Sequence, residues 1–273
     1  DGRTGRRGAF MTHAIITGGS SGIGLEIARL YLERGYHVSL LARRVDLLEE
    51  AARLLAADRS EVTARIHTAS VDVVDGAAVE AAIRQAESVH GPCDLLVAAA
   101  GRVDPAFFDA QSPETFQAQI DVNVFGVAHA VRSVYTGMKA RGRGRIMLVS
   151  SGAAQIGIPA YAAYCASKAA LKGFAEALRA EAHPFGVVVS VCYPPDTRTP
   201  QYEREMLARP AEAEAIMGVL HPWEPRVVAE RIVRGLDRGA AEVHFGFALT
   251  MLALFGAFIK PVIYWRAARG RRA

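Results

Sequence analysis

A chain of 273 residues, 51% hydrophobic and 22% charged, carries enough apolar material for one well-buried domain, which excludes disorder of the whole. Its 25 glycines and 12 prolines follow no collagen-like or low-complexity period and no segment repeats, which excludes solenoids and propellers. The formal charge of +4 is concentrated at the ends, +2 over residues 1–10 and +5 over 260–273, so the body stands at −3 and lacks the clustered basic face of a nucleic-acid binder.

Residues 1–10, with Arg3, Arg6 and Arg7, read as a disordered basic leader; the apolar stretch after them is cut by His13 and runs into glycines, unlike a signal peptide. His13 to Thr17 predicts a strand, 18–24 a glycine loop, and Ile23, Ile27, Leu30 and Tyr31 recur at helical spacing. Strands follow at 37–42, 65–73, 94–100, 145–150, 186–192 and 242–245. Helices alternate with them at 45–57, 77–89, 113–139, 160–182 and 225–236. Seven near-continuously apolar strands with intervening helices predict an α/β, Rossmann-like, doubly wound parallel sheet covered on both faces. Residues 11–246 are expected to form this domain, with the irregular segment 199–220 as a lid over its ligand site. Residues 247–273 form an apolar helical extension that becomes basic. Cys93, Cys165 and Cys192 are widely spaced without Cys-x-x-Cys, so buried free thiols in a reducing compartment are expected, with no zinc site and no disulfide framework.

Thr17-Gly18-Gly19-Ser20-Ser21-Gly22-Ile23-Gly24 lies between a strand and a helix, where backbone N–H groups and the helix start can face a pyrophosphate; glycines also serve ordinary turns. After the second strand, Ala42-Arg43-Arg44 offers no acid to a ribose hydroxyl, and an arginine suits a 2′-phosphate, or is simply a solvated charge opening a helix. Asp72 ends the third strand, where it meets an adenine edge or caps the next helix. Tyr164 and Lys168 share one helical face, as a proton-transferring phenol with a neighbouring ammonium requires. Tyr161 has Cys165 at that offset and reads as packing. Ser150 or Ser151 can donate to a carbonyl oxygen, or serve turn chemistry. Asn123, a poor helix former inside a helical pattern, calls for a specific partner, whether functional or a buried structural bond. Hydrolase elbow, P-loop and metalloprotease motifs are absent from the sequence, and no metal is implied.

Thr17 to Gly24, Asn123, Ser151, Tyr164 and Lys168, in that order, together resemble the classical short-chain dehydrogenase/reductase family; the Ser-to-Tyr separation of 13 selects Ser151 over Ser150. The resemblance implies that Tyr164 donates a proton to a ketone oxygen oriented by Ser151. Lys168 binds the nicotinamide ribose and lowers the tyrosine pKa, and Asn123 holds a water in a relay to Lys168. Two family motifs are altered: Ala98-Ala99-Ala100-Gly101 replaces Asn-Asn-Ala-Gly, which should weaken hydrogen bonds at the sheet edge, and Pro194-Pro195 replaces Pro-Gly. Tyr193-Pro194-Pro195-Asp196-Thr197-Arg198-Thr199-Pro200 is similar to the branch of the family that reduces 3-ketodihydrosphingosine (3-dehydrosphinganine) to sphinganine in sphingolipid biosynthesis. That likeness implies NADPH/NADP+ as cofactor. Gly18, Ser20, Ser21, Gly22, Ile23 and Gly24 would contact it, as would Arg43, Asp72, Val73, Tyr164, Lys168, Pro194, Thr197 and Thr199. Leu47 stands where the branch has a second basic contact. The implied substrate is a long-chain keto sphingoid base. Alternatives are reduction of another lipophilic ketone, a 3-oxoacyl chain or a steroid, and a non-catalytic NADPH-binding membrane adaptor. The helices at 113–139 and 160–182 are those through which the family forms dimers or tetramers.

Phe245 to Ile259 is a charge-free run of 15 residues, about 22 Å as a helix against about 30 Å of hydrocarbon. It is followed by Lys260-Pro261, then 262–265 and four arginines. It reads as a helix packed in a dimer or substrate pocket, or as a segment entering a membrane surface with its arginine-rich end cytoplasmic. A long-chain substrate favours the second, placing the protein at the cytoplasmic face of a membrane.

Overall fold

The computed structural model describes residues 12–57, 59–218 and 221–270. The expected leader at 1–10, the last two residues of the expected lid and residues 271–273 lie outside the described residues.

The chain opens with β1 (His13–Thr17) and α1 (Gly22–Glu33), then β2 (His37–Ala42), α2 (Val45–Ala56) and a single turn α3 (Ser60–Thr63). β3 (Ile66–Ser70) leads to α4 (Gly76–His90) and β4 (Cys93–Ala98). β3 ends three residues earlier than expected because Val71 N–H closes on the Ala42 carbonyl and Asp72 Oδ1 accepts from Val74 N–H, turning the chain away. The helix expected over 113–139 is two helices, α5 (Pro113–Ile120) and α6 (Gly126–Arg141), joined by a π-helical turn at Asp121–Phe125. That turn holds Asn123, whose side chain bonds the Arg102 backbone at both Oδ1 and Nδ2, and π-turns of this kind widen a helix to admit such a contact.

β5 (Gly144–Val149) precedes α7 (Ala162–Ala182). α7 starts after Ala160 because that residue is left-handed, with φ +65°, outside the helical region. β6 (Val187–Cys192) is followed by α8 (Pro200–Met206) and α9 (Ala211–Met217), so the expected irregular lid is largely helical. α10 (Pro225–Asp237), a two-residue β7 (Glu242–Val243) and α11 (Gly246–Gly270) complete the chain.

Among the described residues, seven strands run parallel in one sheet, in the order β3-β2-β1-β4-β5-β6-β7. One face packs α4, α6 and α7 through Ile83, Val131, Val134 and Leu171. The other packs α1, α2 and α10 through Ile27, Leu48, Ile232 and Val233. Because connections run outward from β1 on one side and from β4 on the other, a crevice opens beyond their carboxyl ends, the usual ligand position in such sheets.

Candidate active site

The glycine loop between β1 and α1 fills that crevice. Gly18 has φ +70°, and a Cβ there would lie 2.7 Å from the Ala100 nitrogen; one at Gly24 would lie 2.4 Å from the Gly18 carbonyl. Only glycine lets this loop close on the turn after β4. Ser21 caps α1 without a side-chain bond, and no acid stands in the first turn, so the helix N–H groups are left for an anion. The turn after β4 keeps its hydrogen bonds despite Ala98-Ala99-Ala100, because Thr17 accepts from Ala99 N–H through its carbonyl at 3.1 Å and from Ala100 N–H through Oγ1 at 3.3 Å.

At the outer end, the exposed Arg43 guanidinium lies 3.8 Å from Asp72. Asp72 is tied into its own loop and does not cap α4, whose cap is Asp75 accepting from Ala78 N–H. Backbone donors at α1 and the exposed Arg43 guanidinium, only loosely paired with Asp72, form a donor set that fits the phosphates of a dinucleotide. One cleft of about 670 Å³ joins all of the expected cofactor contacts, from Gly18 through Val73 to Thr199. Thr199 also closes the loop from above: its methyl would lie 2.9 Å from a Cβ at Gly22, and its hydroxyl caps α8 by accepting from Tyr202 N–H.

Ser151, Tyr164 and Lys168 line the middle of the same cleft. The two serines separate by role: Ser150 Oγ donates to the Lys168 carbonyl at 2.8 Å, a structural strap, while Ser151 Oγ faces the cleft beside Tyr164 and also caps the next turn, accepting from Ala153 N–H at 3.2 Å. Burial pushes the Tyr164 phenol above its ordinary range, with Glu205 and Asp196 acting the same way and Ser151 opposing. Burial pulls the Lys168 ammonium down to about 8. Burial dominates the phenol here, while Lys168 Nζ donates to the Val149 carbonyl at 3.0 Å and stands 5.7 Å from the Tyr164 ring centre. Asn123 is fully buried behind the cleft wall, donating to Ser167 Oγ at 2.9 Å. A Cβ at Gly101 would be 3.4 Å from both Asn123 Oδ1 and Lys168 Nζ, so the two polar groups flank one glycine.

Sequence reasoning passed over a second polar group. Arg209, whose side chain is 4% exposed, reaches Asp196 Oδ2 at 2.6 Å and Glu205 Oε1 at 2.5 Å. Tyr161, expected to pack only, donates its hydroxyl to Glu205 at 2.8 Å and accepts from Arg209 Nε. The i, i+4 spacing of Glu205 and Arg209 was the available signal, but such pairs are common on solvated helices. α11 forms the remaining wall: Leu249, Leu252, Ile259 and Ile263 pack with Tyr161, Tyr164, Ile216 and Met217. Tyr264 Oη accepts from Gly157 N–H and donates to its carbonyl.

The short chain dehydrogenase family profile matches residues 12–208. The chain is 38% identical over 251 residues to a 3-dehydrosphinganine reductase of Danio rerio, covering 92% of this chain and 76% of that protein. It is 39% identical over 245 residues to 3-dehydrosphinganine reductase TSC10B of Arabidopsis thaliana, covering 88% and 72%. Among solved structures, an alcohol dehydrogenase from Thermococcus sibiricus complexed with 5-hydroxy-NADP superposes with a TM-score of 0.73 at 26% identity, over 86% of this chain and 96% of that one.

Proposed function

The chain belongs to the short chain dehydrogenase family, and from that premise we propose that it reduces the 3-keto group of 3-ketodihydrosphingosine to give sphinganine, with NADPH as reductant. The observation that carries the substrate is the similarity, over about nine-tenths of this chain and three-quarters of theirs, to reductases named for it in an animal and a plant. NADPH over NADH rests on Arg43 at the end of β2, where no acid stands to take a ribose hydroxyl.

Gly18, Ser20, Ser21, Gly22, Ile23 and Gly24 would hold the pyrophosphate, with Arg43 at the 2′-phosphate and Asp72 and Val73 beside the adenine. Pro194, Thr197 and Thr199 would close over the nicotinamide end. When bound, the reduced dinucleotide supplies a hydride. The chain's own work is protonic: Tyr164 gives its phenolic proton to the ketone oxygen, and Ser151 holds that oxygen in reach. A phenol raised by burial stays protonated, as a donor must. Lys168, still mostly charged at neutral pH, stabilises the phenolate that results, and Asn123 supports Lys168 from behind Gly101. The apolar wall of Leu252, Ile259, Ile263, Ile216 and Met217 suits an alkyl tail.

The exposed face of α11, with Phe247, Leu254, Phe258 and Trp265, supports the reading of a protein held at the cytoplasmic face of a membrane. Gly246–Arg269 is long and apolar enough to cross a bilayer, but one side of the helix is committed to the cleft, which favours lying on the surface. A homo-oligomer through the paired faces of α6 and α7 completes the proposal.

The test is NADPH oxidation by detergent-solubilised protein with 3-ketodihydrosphingosine, a 3-oxoacyl thioester and a steroid ketone in parallel, with Tyr164→Phe as control. Tyr164-dependent turnover of the sphingoid ketone above the others is expected. Reduction of another ketone alone would overturn the substrate and leave the reaction class standing.

A further inference from the structure

The cluster beside Tyr164 is out of electrical balance. Arg209 is its one buried cation, and it is shared between two carboxylates, Asp196 and Glu205, whose side chains are 27% and 12% exposed. Arg209 uses Nη1 on Asp196 and Nη2 on Glu205, while Nε serves the Tyr161 hydroxyl. Among the described residues, no hydrogen bond reaches Asp196 Oδ1 or Glu205 Oε2. The other cations of the cleft do not restore the balance: Lys168 is turned to the Val149 carbonyl, Arg43 and Arg44 stand at the opposite end of the glycine loop, and Arg204 is exposed to solvent. A partly desolvated carboxylate without its own counter-charge is costly. Burial accordingly raises the Glu205 carboxyl.

We infer that Asp196 and Glu205 form a subsite for a substrate ammonium group next to the ketone, held in place by Arg209 and Tyr161. The inference rests on the proposed substrate, whose amine is carried on the carbon adjacent to the carbonyl. An amine of that kind, with an ordinary pKa of about 7.7–8.0 for an α-amino group, is largely protonated at neutral pH. Position agrees with the chemistry. Tyr161 bonds Glu205 and its ring stands 6.3 Å from the Tyr164 ring, so the carboxylates lie one side chain away from the proton donor. The same subsite disfavours rival ketones: a steroid brings no cation to offset the charge, and an anionic thioester adds to it.

Wild-type protein, with NADPH, is assayed on 2-amino-1-hydroxyoctadecan-3-one and on the same ketone without the amine, from pH 6 to pH 9. The expected result is at least a tenfold preference in kcat/KM for the amino ketone at pH 7, lost as pH rises and the amine deprotonates. Asp196→Asn and Glu205→Gln, which keep shape and the bonds to Arg209 and Tyr161, are expected to reduce that preference at least tenfold, chiefly through KM. NADPH binding by fluorescence checks that each variant is folded. A wild-type preference absent or independent of pH overturns the subsite without need of any variant, as does an equal loss on both ketones in both variants. If wild type reduces neither of these ketones but reduces a steroid or a thioester, the proposed function falls and the subsite with it.

Discussion

Tyr164 and Lys168 sit one helical turn apart, and burial drives their proton affinities in opposite directions. Replacing Tyr164 by Phe removes the donor while keeping the ring, so turnover should fall by about 10²–10⁴ with NADPH binding retained, as fluorescence titration would record. Lys168 is charged below about pH 8 and neutral above it, so kcat for reduction should decline as pH passes upward through that value. Lys168→Arg should carry the decline to higher pH, and a profile unmoved by that change would remove Lys168 from the proton step. Arg43→Ala should raise the KM for NADPH by about 10- to 100-fold, the worth of a charge-assisted bond of roughly 1.5–3 kcal/mol, with little change for NADH. These residues are legible in sequence because their meaning is local: four residues on a helix, or one at a strand end. Asp196, Glu205 and Arg209 are not, since their charge balance exists only once α8 folds over Tyr161. Ser150 and Ser151 are indistinguishable by residue type; the spacing to Tyr164 singles out Ser151, and the strap from Ser150 to the Lys168 carbonyl gives the other serine its structural role.

At the level of elements, α11 shows most clearly what periodicity conceals. It is apolar on nearly every side, so no face can be assigned from the pattern, yet Leu252 and Ile263 are cleft wall while Phe258 and Trp265 are exposed. Pro261 sits within the helix, but the break lies at Phe255, with φ −120° and ψ 21°, beside Gly256. Tyr264 fixes the distal half to Gly157. Tyr264→Phe should cost about 0.5–1.5 kcal/mol, visible as a lowered Tm, and should raise KM for long-chain ketones more than for short ones. The strands were legible because a parallel sheet buried on both faces leaves short, continuously apolar runs. The π-turn was not, because its cause is a contact from Asn123 to Arg102, a residue on another loop.

The molecule as a whole carries a group of histidines at the end of the sheet away from the cleft. His13, His37 and His67 come from three neighbouring strands and surround His90 at the end of α4. Burial, reinforced by their mutual proximity, holds His13 and His90 at about 4, below the ordinary 6.5. The unfolded chain therefore binds more protons between those values, so this contribution to stability is whole above pH 6.5 and is lost as pH falls toward 4. Urea midpoints should drop over that window, and His90→Phe should flatten the drop. None of this was visible in the sequence, where the eight histidines are scattered; the strand order gathers four of them. The packing of α10 against α1, through Val233 and Ile27 and the Arg226–Glu33 and Arg34–Asp237 ion pairs, joins the two ends of the domain. During synthesis at about 5–20 residues per second, the apolar side of α1 waits roughly 10–40 s for a partner encoded some 200 residues later. The core on that side of the sheet therefore closes only after α10 has left the ribosome, and the cleft wall only after α11 has followed it.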